Sequence, residues 1–464
     1  MHAAAAPGDA WPPGRPADDA DSAGALLRAL REGRLSRAPV ARDFARRIEA
    51  ARGGHAFAWH DPMAWLAQAA AVDARARGRD DAPRLLDGLP VAVKDNIDTP
   101  GFATTAGSRA LPERAPATAA PVWQRLADHG ALLLGKTNMD ELGAGGASRN
   151  PRFGDVANPL APGHTAGGSS GGSAAALAAG LAPLALGTDS SGSLRIPASF
   201  CGVAGFRPTT GSYPGAGIAP LTRAFDTPGP MARSVADLVL LHEAITGERV
   251  LAATQAPVLA WVRGSMAGPL HPALASAHDA VLARWQAAGV RLVPVELDDL
   301  AVEAIALQKL VGAASRLADL SADLVTRGQP LSPHELQARI ATPAVRALFA
   351  PPAPDAPAAG PALARLAVLA EALRERLARA GAPLLLHAST LQPPARLDAG
   401  DAVFATNYYG DNARLAPALS LAACSFPCAR DAQGRPIAGA NLEVAGCAGS
   451  DAQVLSACLW LERH

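Results

Sequence analysis

The segment Gly167–Ser173 reads GGSSGGS and lies between apolar stretches that are typical of a protein core. Between two domains, a run of this composition would indicate a flexible linker. Here the small-residue run SAAALAAGL begins at Ser173 and predicts a helix, so a swinging tether would divide one packed unit. A glycine-rich turn before a helix instead lets the backbone approach a ligand closely and points free N–H groups at negative charge. The Lys-Ser/Thr ending of a phosphate-binding loop is missing, so we predict a ligand-contacting turn of another kind.

A second turn of small residues, GTDSSGSLRIP, follows at residues 187–197. The apolar run PLALG precedes it and predicts a buried strand, and Pro197 predicts the start of a helix. A serine on such a turn has an accessible hydroxyl, with successive backbone amides beside it that can stabilise an oxyanion. Ser193 is the last serine of this turn.

Strand and helix patterns alternate on both sides of these two turns. Short apolar runs predict buried strands at residues 90–94, 131–134, 183–187, 258–262, 290–295 and 383–386. Helical patterns lie at residues 25–52 (two helices, interrupted at Gly33), 121–128, 173–181, 234–245, 273–288 and 363–377. The proline-rich stretch Ala350–Pro361 predicts a loop or an internal linker. The alternation favours an α/β fold with a parallel or mixed sheet.

Composition excludes several classes of function. The 464 residues include 42 basic and 42 acidic side chains, so there is no basic excess for a broad nucleic-acid or anionic-membrane surface. Apolar residues make up 49% of the chain, which is enough for a substantial core. Five cysteines in a chain of this length do not indicate a disulfide framework. Cys424 and Cys428 could form a metal-binding pair, but no second pair lies at zinc spacing and no HExxH helix is present. We therefore expect buried thiols and no metal site.

The N-terminal residues 1–24 resemble neither a secretory signal nor a membrane anchor. No Lys or Arg precedes their short alanine run, and no long apolar stretch follows it. Their Ala, Pro, Asp and Gly content predicts a mobile tail. Since no later segment is apolar over transmembrane length, we expect a cytoplasmic protein.

Several separated motifs together resemble the amidase-signature family. They are DGLPVAVKDNID, LLGKTNMDE, GGSSGGSAAALAAG, GTDSSGSLRIPASFCGVAGFRPT and DTPGPMARSVADL, in the family order and spacing between about residues 86 and 247. More weakly, GANLEVAGCAGSDAQVL resembles the family's closing strand and helix. The resemblance implies a central mixed, twisted sheet covered by helices on both faces. It also implies a single amidase domain over residues 25–464, with a catalytic core at about 86–247, a variable substrate-pocket region at about 250–400 and a closing segment at about 401–464.

The resemblance also implies a Ser–cis-Ser–Lys triad that needs no metal or cofactor. Ser193 matches the nucleophile, Lys94 matches the base, and Ser169 matches the serine that relays the proton, with a cis peptide bond expected between Gly168 and Ser169. The chemistry is consistent with these roles, because a serine hydroxyl is a weak nucleophile that needs a nearby base. Lysine serves as a base only when neutral, and burial in the apolar VAVK strand can lower its pKa sufficiently.

Other residues of the two turns are expected to support this triad. The backbone N–H groups of the nucleophile turn form the expected oxyanion hole, contributed by Ser190, Ser191, Gly192 and Ser193. Ser191 stands where the family often has glycine, which could alter the shape of the acyl pocket. Gly168 and Ser170 are expected to shape the glycine-rich turn, and Asp189 and Arg195 to form an internal ion pair rather than to bind substrate.

The similarity around residues 206–247 is greatest to mandelamide and indoleacetamide hydrolases, which favours a small primary amide such as an arylacetamide as substrate. The alternatives are a glutaminase subunit of a tRNA-dependent amidotransferase, a biuret- or allophanate-type hydrolase, and a non-catalytic binding protein. A cysteine nucleophile at Cys201 with His164 as its base is disfavoured, because no feature of SFCGVAG supports it. The expected partner is a small-molecule amide, with no nucleic acid or membrane, and a homodimer is the working expectation for assembly.

Overall fold

The computed structural model describes residues 22–76, 84–262, 268–353, 357–400, 403–404 and 409–464, the side chains of 75 and 76 excepted. Most of the predicted tail over residues 1–24 lies outside these residues, but its last two residues already belong to the first helix. None of the helices in the described ranges combines the length and apolarity needed to cross a bilayer.

Within the described ranges, the strands form one mixed sheet of 11 strands, in the order β1-β3-β2-β4-β6-β5-β10-β11-β9-β7-β8. The strands are β1 Phe57–Trp59, β2 Pro90–Lys94, β3 Leu132–Thr137, β4 Leu184–Asp189, β5 Ala204–Arg207, β6 Thr227–Ala232, β7 Val258–Trp261, β8 Arg291–Pro294, β9 Leu384–Ala388, β10 Ala422–Phe426 and β11 Leu442–Gly446. The neighbours of β2 and of β7 run parallel to them, and the other pairs are antiparallel. This is the mixed α/β sheet that the sequence predicts.

The helices are α1 Ala23–Arg31, α2 Arg37–Ala50, α3 Pro62–Ala76, α4 Pro121–Asp128, α5 Gly171–Ala178, α6 Arg195–Cys201, α7 Val235–Thr246, α8 Pro272–Ala287, α9 Asp298–Thr326, α10 Pro333–Arg339, α11 Pro343–Leu348, α12 Ala359–Ala380, α13 Leu415–Ala418 and α14 Asp451–Arg463. Short 3-10 turns lie at Arg52–Gly54, Glu141–Gly143 and Asn412–Arg414. Helix α6 begins two residues before Pro197, and α12 begins before the end of the predicted loop Ala350–Pro361.

Helices cover both faces of the sheet. Along β9, Leu384 and Leu386 belong to one apolar cluster, which includes residues of α8 and α14, whereas Leu385 belongs to a second cluster with residues of α9 and α12. Because successive side chains of a strand point to opposite faces, the two clusters lie on opposite sides of the sheet.

The two parallel neighbours β2 and β4 bring the predicted site together. Val91 to Val93 of β2 pair in register with Leu184 to Leu186 of β4, so both strands end at the same edge of the sheet. Lys94 is the last residue of β2, and Asp189 is the last residue of β4. The carboxyl ends of parallel strands are where open α/β sheets place their ligand sites.

Candidate active site

Lys94 is fully buried at the end of β2. Its Nζ lies 2.8 Å from Ser169 Oγ, 2.9 Å from Thr188 Oγ1 and 3.4 Å from the Thr188 carbonyl oxygen. Burial lowers the pKa of Lys94 to about 7, and the negative charge of Asp140 is the largest of the effects that oppose this shift. The lowered pKa makes neutral Lys94 accessible near pH 7, and a neutral amine can accept a proton from Ser169.

Ser169 lies in the glycine-rich turn that leads into α5. The peptide bond between Gly168 and Ser169 is cis, as the family resemblance implies. A side chain at Gly168 has no room, because a Cβ there would overlap Asp140 Oδ2 and lie 2.8 Å from the Ser148 nitrogen. Asp140 in turn accepts the Ser148 N–H at 2.9 Å. The turn is therefore packed against a buried carboxylate that fixes the position of Ser169.

Ser170 connects the glycine-rich turn to the nucleophile turn. Its N–H donates to the Ser193 carbonyl oxygen at 3.1 Å, and its hydroxyl donates to the Thr188 carbonyl oxygen at 3.2 Å. Both partners are backbone groups, and Ser170 is fully buried. These contacts are those of a residue that holds the loop, as the sequence analysis favours.

Ser193 lies two residues before the first residue of α6 and is 5% exposed. Within the described ranges its hydroxyl makes no hydrogen bond, and none joins it to Ser169 Oγ. The structure thus brings Lys94 and Ser169 into direct contact and brings Ser193 to the same site through the backbone. Catalytic hydrogen bonds are often long without substrate and shorten in the substrate complex, so this geometry is compatible with proton relay through Ser169.

The backbone N–H groups of the nucleophile turn are not equivalent. The Gly192 N–H donates to Asp189 Oδ1 at 2.8 Å, so it is not free for an oxyanion, contrary to the expectation from sequence. The Asp189 carboxylate therefore anchors the turn by accepting the N–H of one expected oxyanion donor. In the part of the chain that the structure describes, the N–H groups of Ser190, Ser191 and Ser193 donate to no acceptor. These three are the candidate oxyanion donors.

A buried cluster of four charges holds the nucleophile turn. Asp189 Oδ2 lies 3.0 Å from Arg195 Nε, Arg195 Nη1 lies 2.7 Å from Glu443 Oε1, and Arg207 Nη1 lies 3.5 Å from Asp189 Oδ1. All four side chains are fully buried. Burial alone would raise the pKa of Asp189, but the two guanidinium groups hold it below its ordinary value. Asp189 and Arg195 therefore form the internal ion pair that the sequence favours.

The cysteines do not form a rival nucleophile. Cys201 is buried, its Sγ lies 3.4 Å from the Ala166 carbonyl oxygen, and burial raises the pKa of its thiol well above the usual value. The reactive form of cysteine is the thiolate, so this thiol is inert. The imidazole of His164, its suggested base, contacts the Pro162 carbonyl oxygen at 3.0 Å instead. Of the other cysteines, Cys424, Cys428 and Cys458 are buried and Cys447 is partly buried.

Several groups that contact these turns were not identified from the sequence, among them Thr188 and Gln308. The Thr188 hydroxyl lies between Lys94 and Asn96, whose Nδ2 donates to it at 3.0 Å, and its place beside Lys94 follows from the pairing of β2 with β4. Gln308 of α9 donates from Nε2 to the Ser190 carbonyl oxygen at 3.0 Å. The available signal for Gln308 was a polar residue on the apolar face of a helix, in step with Ala301, Ala304, Ile305, Val311 and Gly312.

Comparisons with known proteins show the family of the chain. The sequence model of the amidase family matches residues 40–455. Among curated proteins, a glutamyl-tRNA(Gln) amidotransferase subunit from Burkholderia pseudomallei is 40% identical over 299 residues, 59% of this chain. The corresponding subunit from Thermus thermophilus is 46% identical over 187 residues, 40% of this chain. The chain matches only 60% and 40% of the lengths of these two relatives.

Solved amidase structures match nearly the whole chain. The native peptide amidase of Stenotrophomonas maltophilia has a TM-score of 0.83 at 26% identity, covering 95% of this chain and 96% of that one. A crystal structure described as an amidase has a TM-score of 0.76 at 30% identity, covering 95% and 99%. A 6-aminohexanoate cyclic dimer hydrolase, at 22% identity and a TM-score of 0.80, supports the fold alone.

Proposed function

The chain belongs to the amidase family of carbon–nitrogen hydrolases, and we propose that it hydrolyses a small primary carboxamide, such as an arylacetamide, to a carboxylate and ammonia. In this proposal Ser193 is the nucleophile, Ser169 the proton relay and Lys94 the base. The substrate is a small molecule, the reaction needs no metal or cofactor, and neither nucleic acid nor membrane takes part.

The reaction proceeds through an acyl-enzyme. Neutral Lys94 accepts the Ser169 proton as Ser169 accepts the Ser193 proton, and Ser193 Oγ attacks the amide carbon. The developing oxyanion is stabilised by free N–H groups of the nucleophile turn. The proton returns through Ser169 to the leaving nitrogen, ammonia departs, and water hydrolyses the ester by the same route.

The observation that carries this proposal is the contact between Lys94 and Ser169. A lysine at the carboxyl end of a buried strand, 2.8 Å from a serine hydroxyl and with a pKa lowered by burial to about 7, has the protonation behaviour of a general base.

Ammonia release from a panel of amides tests the proposal. The panel contains indoleacetamide, mandelamide, glutamine, biuret and a simple aliphatic amide, each incubated with wild type, Ser193→Ala and Lys94→Ala. We expect turnover of an arylacetamide by wild type and a loss of at least about 10³-fold in both variants. Equal activity of wild type and Ser193→Ala would rule out the nucleophile assignment.

A second candidate is a glutaminase subunit of an amidotransferase, which the names of the curated relatives favour. Such a subunit would hydrolyse glutamine and release ammonia faster when its partner subunits are added. Glutamine turnover with no turnover of arylacetamides would select this candidate. In either case the Ser193→Ala variant is the control for the chemistry.

A further inference from the structure

Gln308 links helix α9 to the backbone of the nucleophile turn. Its Nε2 lies 3.0 Å from the Ser190 carbonyl oxygen and 2.8 Å from Ser191 Oγ, and Gln308 is 4% exposed. Its Oε1 accepts a hydrogen bond from Arg414 Nη1 at 3.1 Å. Because arginine has donors and no acceptor, Arg414 requires the amide oxygen of Gln308 to face it. The amide NH₂ must then face the turn.

The Ser190 carbonyl that Gln308 holds belongs to the same peptide unit as the Ser191 N–H. In a trans peptide the N–H points opposite to the carbonyl of the preceding residue, so a bond that fixes one also fixes the other. The peptide units of the other two free donors, the N–H groups of Ser190 and Ser193, are held in the same way. The carbonyl before the Ser190 N–H accepts from Arg207 Nη1, and the carbonyl before the Ser193 N–H accepts from the N–H groups at the start of α6.

We propose that Gln308 is a positioning residue of the oxyanion hole, which aims the Ser191 N–H at the substrate by holding the Ser190 carbonyl. The proposal rests on the serine-hydrolase function above. Ser191, the residue that stands where the family often has glycine, takes part through its hydroxyl. Since that hydroxyl accepts from Gln308, its own hydrogen is free to donate to substrate or water. Helix α9, which belongs to the variable region at about residues 250–400, thus fixes the geometry of the nucleophile turn.

The inference can be tested without knowledge of the substrate by the rate at which a fluorophosphonate labels Ser193. The attack of Ser193 on the phosphorus also builds negative charge on an oxygen in the oxyanion hole. Gln308→Glu preserves size and the contact with Arg414 but cannot donate to the Ser190 carbonyl. We expect its labelling rate to fall by about 10- to 100-fold, somewhat less than for the loss of a whole donor. For any amide that wild type turns over, kcat should fall while KM stays within about twofold.

A matched control is Gln337→Glu in α10, because the Gln337 amide also donates to a backbone carbonyl, that of Phe349 at 3.3 Å. We expect its labelling rate to equal that of wild type. Because a carboxylate at position 308 should raise the pKa of Lys94 from a distance, as the charge of Asp226 does, the labelling rates are compared at a pH above the Lys94 midpoint of both proteins.

If Gln308→Glu shows no cooperative unfolding, Arg414→Met decides instead, because it leaves the Gln308 amide free to rotate and should slow labelling in the same way. Wild-type labelling in a folded Gln308→Glu protein, or in Arg414→Met where the first variant does not fold, would overturn the inference and leave the proposed function intact. Absence of labelling in wild type itself would overturn both.

Discussion

Two lysines are fully buried near the end of neighbouring strands, and their contacts separate a base from a structural cation. Lys136 of β3 donates to the Ile97 carbonyl oxygen at 2.7 Å and lies 3.8 Å from Asp95 Oδ1, and burial lowers its pKa to about 8. Lys94 instead contacts the hydroxyl of Ser169 in the turn beside the nucleophile. Burial lowers both pKa values, and Lys136 also contacts a hydroxyl, that of Thr104 at 3.1 Å. What distinguishes Lys94 is that its hydroxyl partner, Ser169, lies in the turn beside Ser193.

We predict that the rate of Ser193 acylation rises with pH through a midpoint near 7. Below that midpoint Lys94 is protonated and cannot act as a base, and above it Lys94 is neutral and the rate is constant. Because the charge of Asp140 raises the pKa of Lys94, Asp140→Asn should move the midpoint to lower pH. The measurement is the labelling rate between about pH 5 and pH 9.

Lys136→Met is the control for this pH profile. Lys136 is as buried as Lys94 but does not contact Ser169. The midpoint of the variant should therefore stay that of wild type, although the protein becomes less stable. A flat profile in wild type, or a midpoint that moves to higher pH in Asp140→Asn, would contradict the role of Lys94.

At the scale of elements, local signals predicted those strands and helices whose own sequence carries them. The run PVAVK coincides with β2, Pro121 and Gly130 bracket α4, and Ser234 caps α7 by accepting the Asp237 N–H at 3.1 Å. The Asp237 carboxylate, however, does not complete a capping box. It accepts the N–H groups of Ala23 and Gly24 at the start of α1, a contact between distant elements that no local pattern encodes.

Strand β6 was missed because its sequence, TPGPMA, contradicts strand chemistry. A central strand donates its N–H groups alternately to the neighbouring strands on its two sides, and proline has no N–H to donate. Pro228 and Pro230 therefore count against a strand. In the structure β6 pairs with β4 along its whole length, but β5 pairs only with Met231 and Ala232. The incomplete ladder on the β5 side tolerates the prolines, and only the assembled sheet reveals it.

The residues of the site also differ in whether a local sequence pattern identifies them. Motif similarity located Lys94, Ser169 and Ser193 because their roles depend on turns with a recognisable sequence. Gln308 could not be assigned, because its contact with the nucleophile turn depends on how α9 packs against it. The occupation of the Gly192 N–H by Asp189 is likewise a matter of three-dimensional geometry.

We predict that Gly172→Ala at the start of α5 lowers the free energy of unfolding by more than about 3 kcal/mol and abolishes labelling of Ser193. A Cβ there would overlap the carbonyl oxygens of Ala56 and Asn138, which are backbone atoms that cannot move aside as a flexible side chain can. The turn that carries Ser169 would shift with the helix. Urea unfolding and the labelling rate are the measurements.

Gly360→Ala is the matched control, since Gly360 also lies in the first turn of a helix, α12, and a Cβ there meets nothing within 4 Å. Its stability should be unchanged or raised by up to about 1 kcal/mol, because alanine loses less conformational entropy on folding. Similar behaviour of the two variants would mean that α5 does not pack as tightly as the structure indicates.

At the scale of the molecule, the catalytic core and the closing segment share one sheet. β5 of the core pairs with β10 of the closing segment, and β10 pairs with β11. We propose on this basis that residues 25–464 form a single amidase domain. The charge cluster crosses the same boundary, because Glu443 of β11 pairs with Arg195 of α6.

Glu443→Gln tests whether the catalytic core and the closing segment unfold as one cooperative unit. The substitution keeps the shape of the side chain but removes the carboxylate that pairs with Arg195, and breaking a buried pair in this way costs about 3 kcal/mol. We expect the unfolding midpoint to fall, with fluorescence, circular dichroism and Ser193 labelling lost together in one transition. The control is Glu303→Gln in an exposed pair with Arg365, whose midpoint should not move because solvent screens that pair. Two separate transitions, with only the first displaced by Glu443→Gln, would show that the closing segment unfolds independently and would refute the single domain.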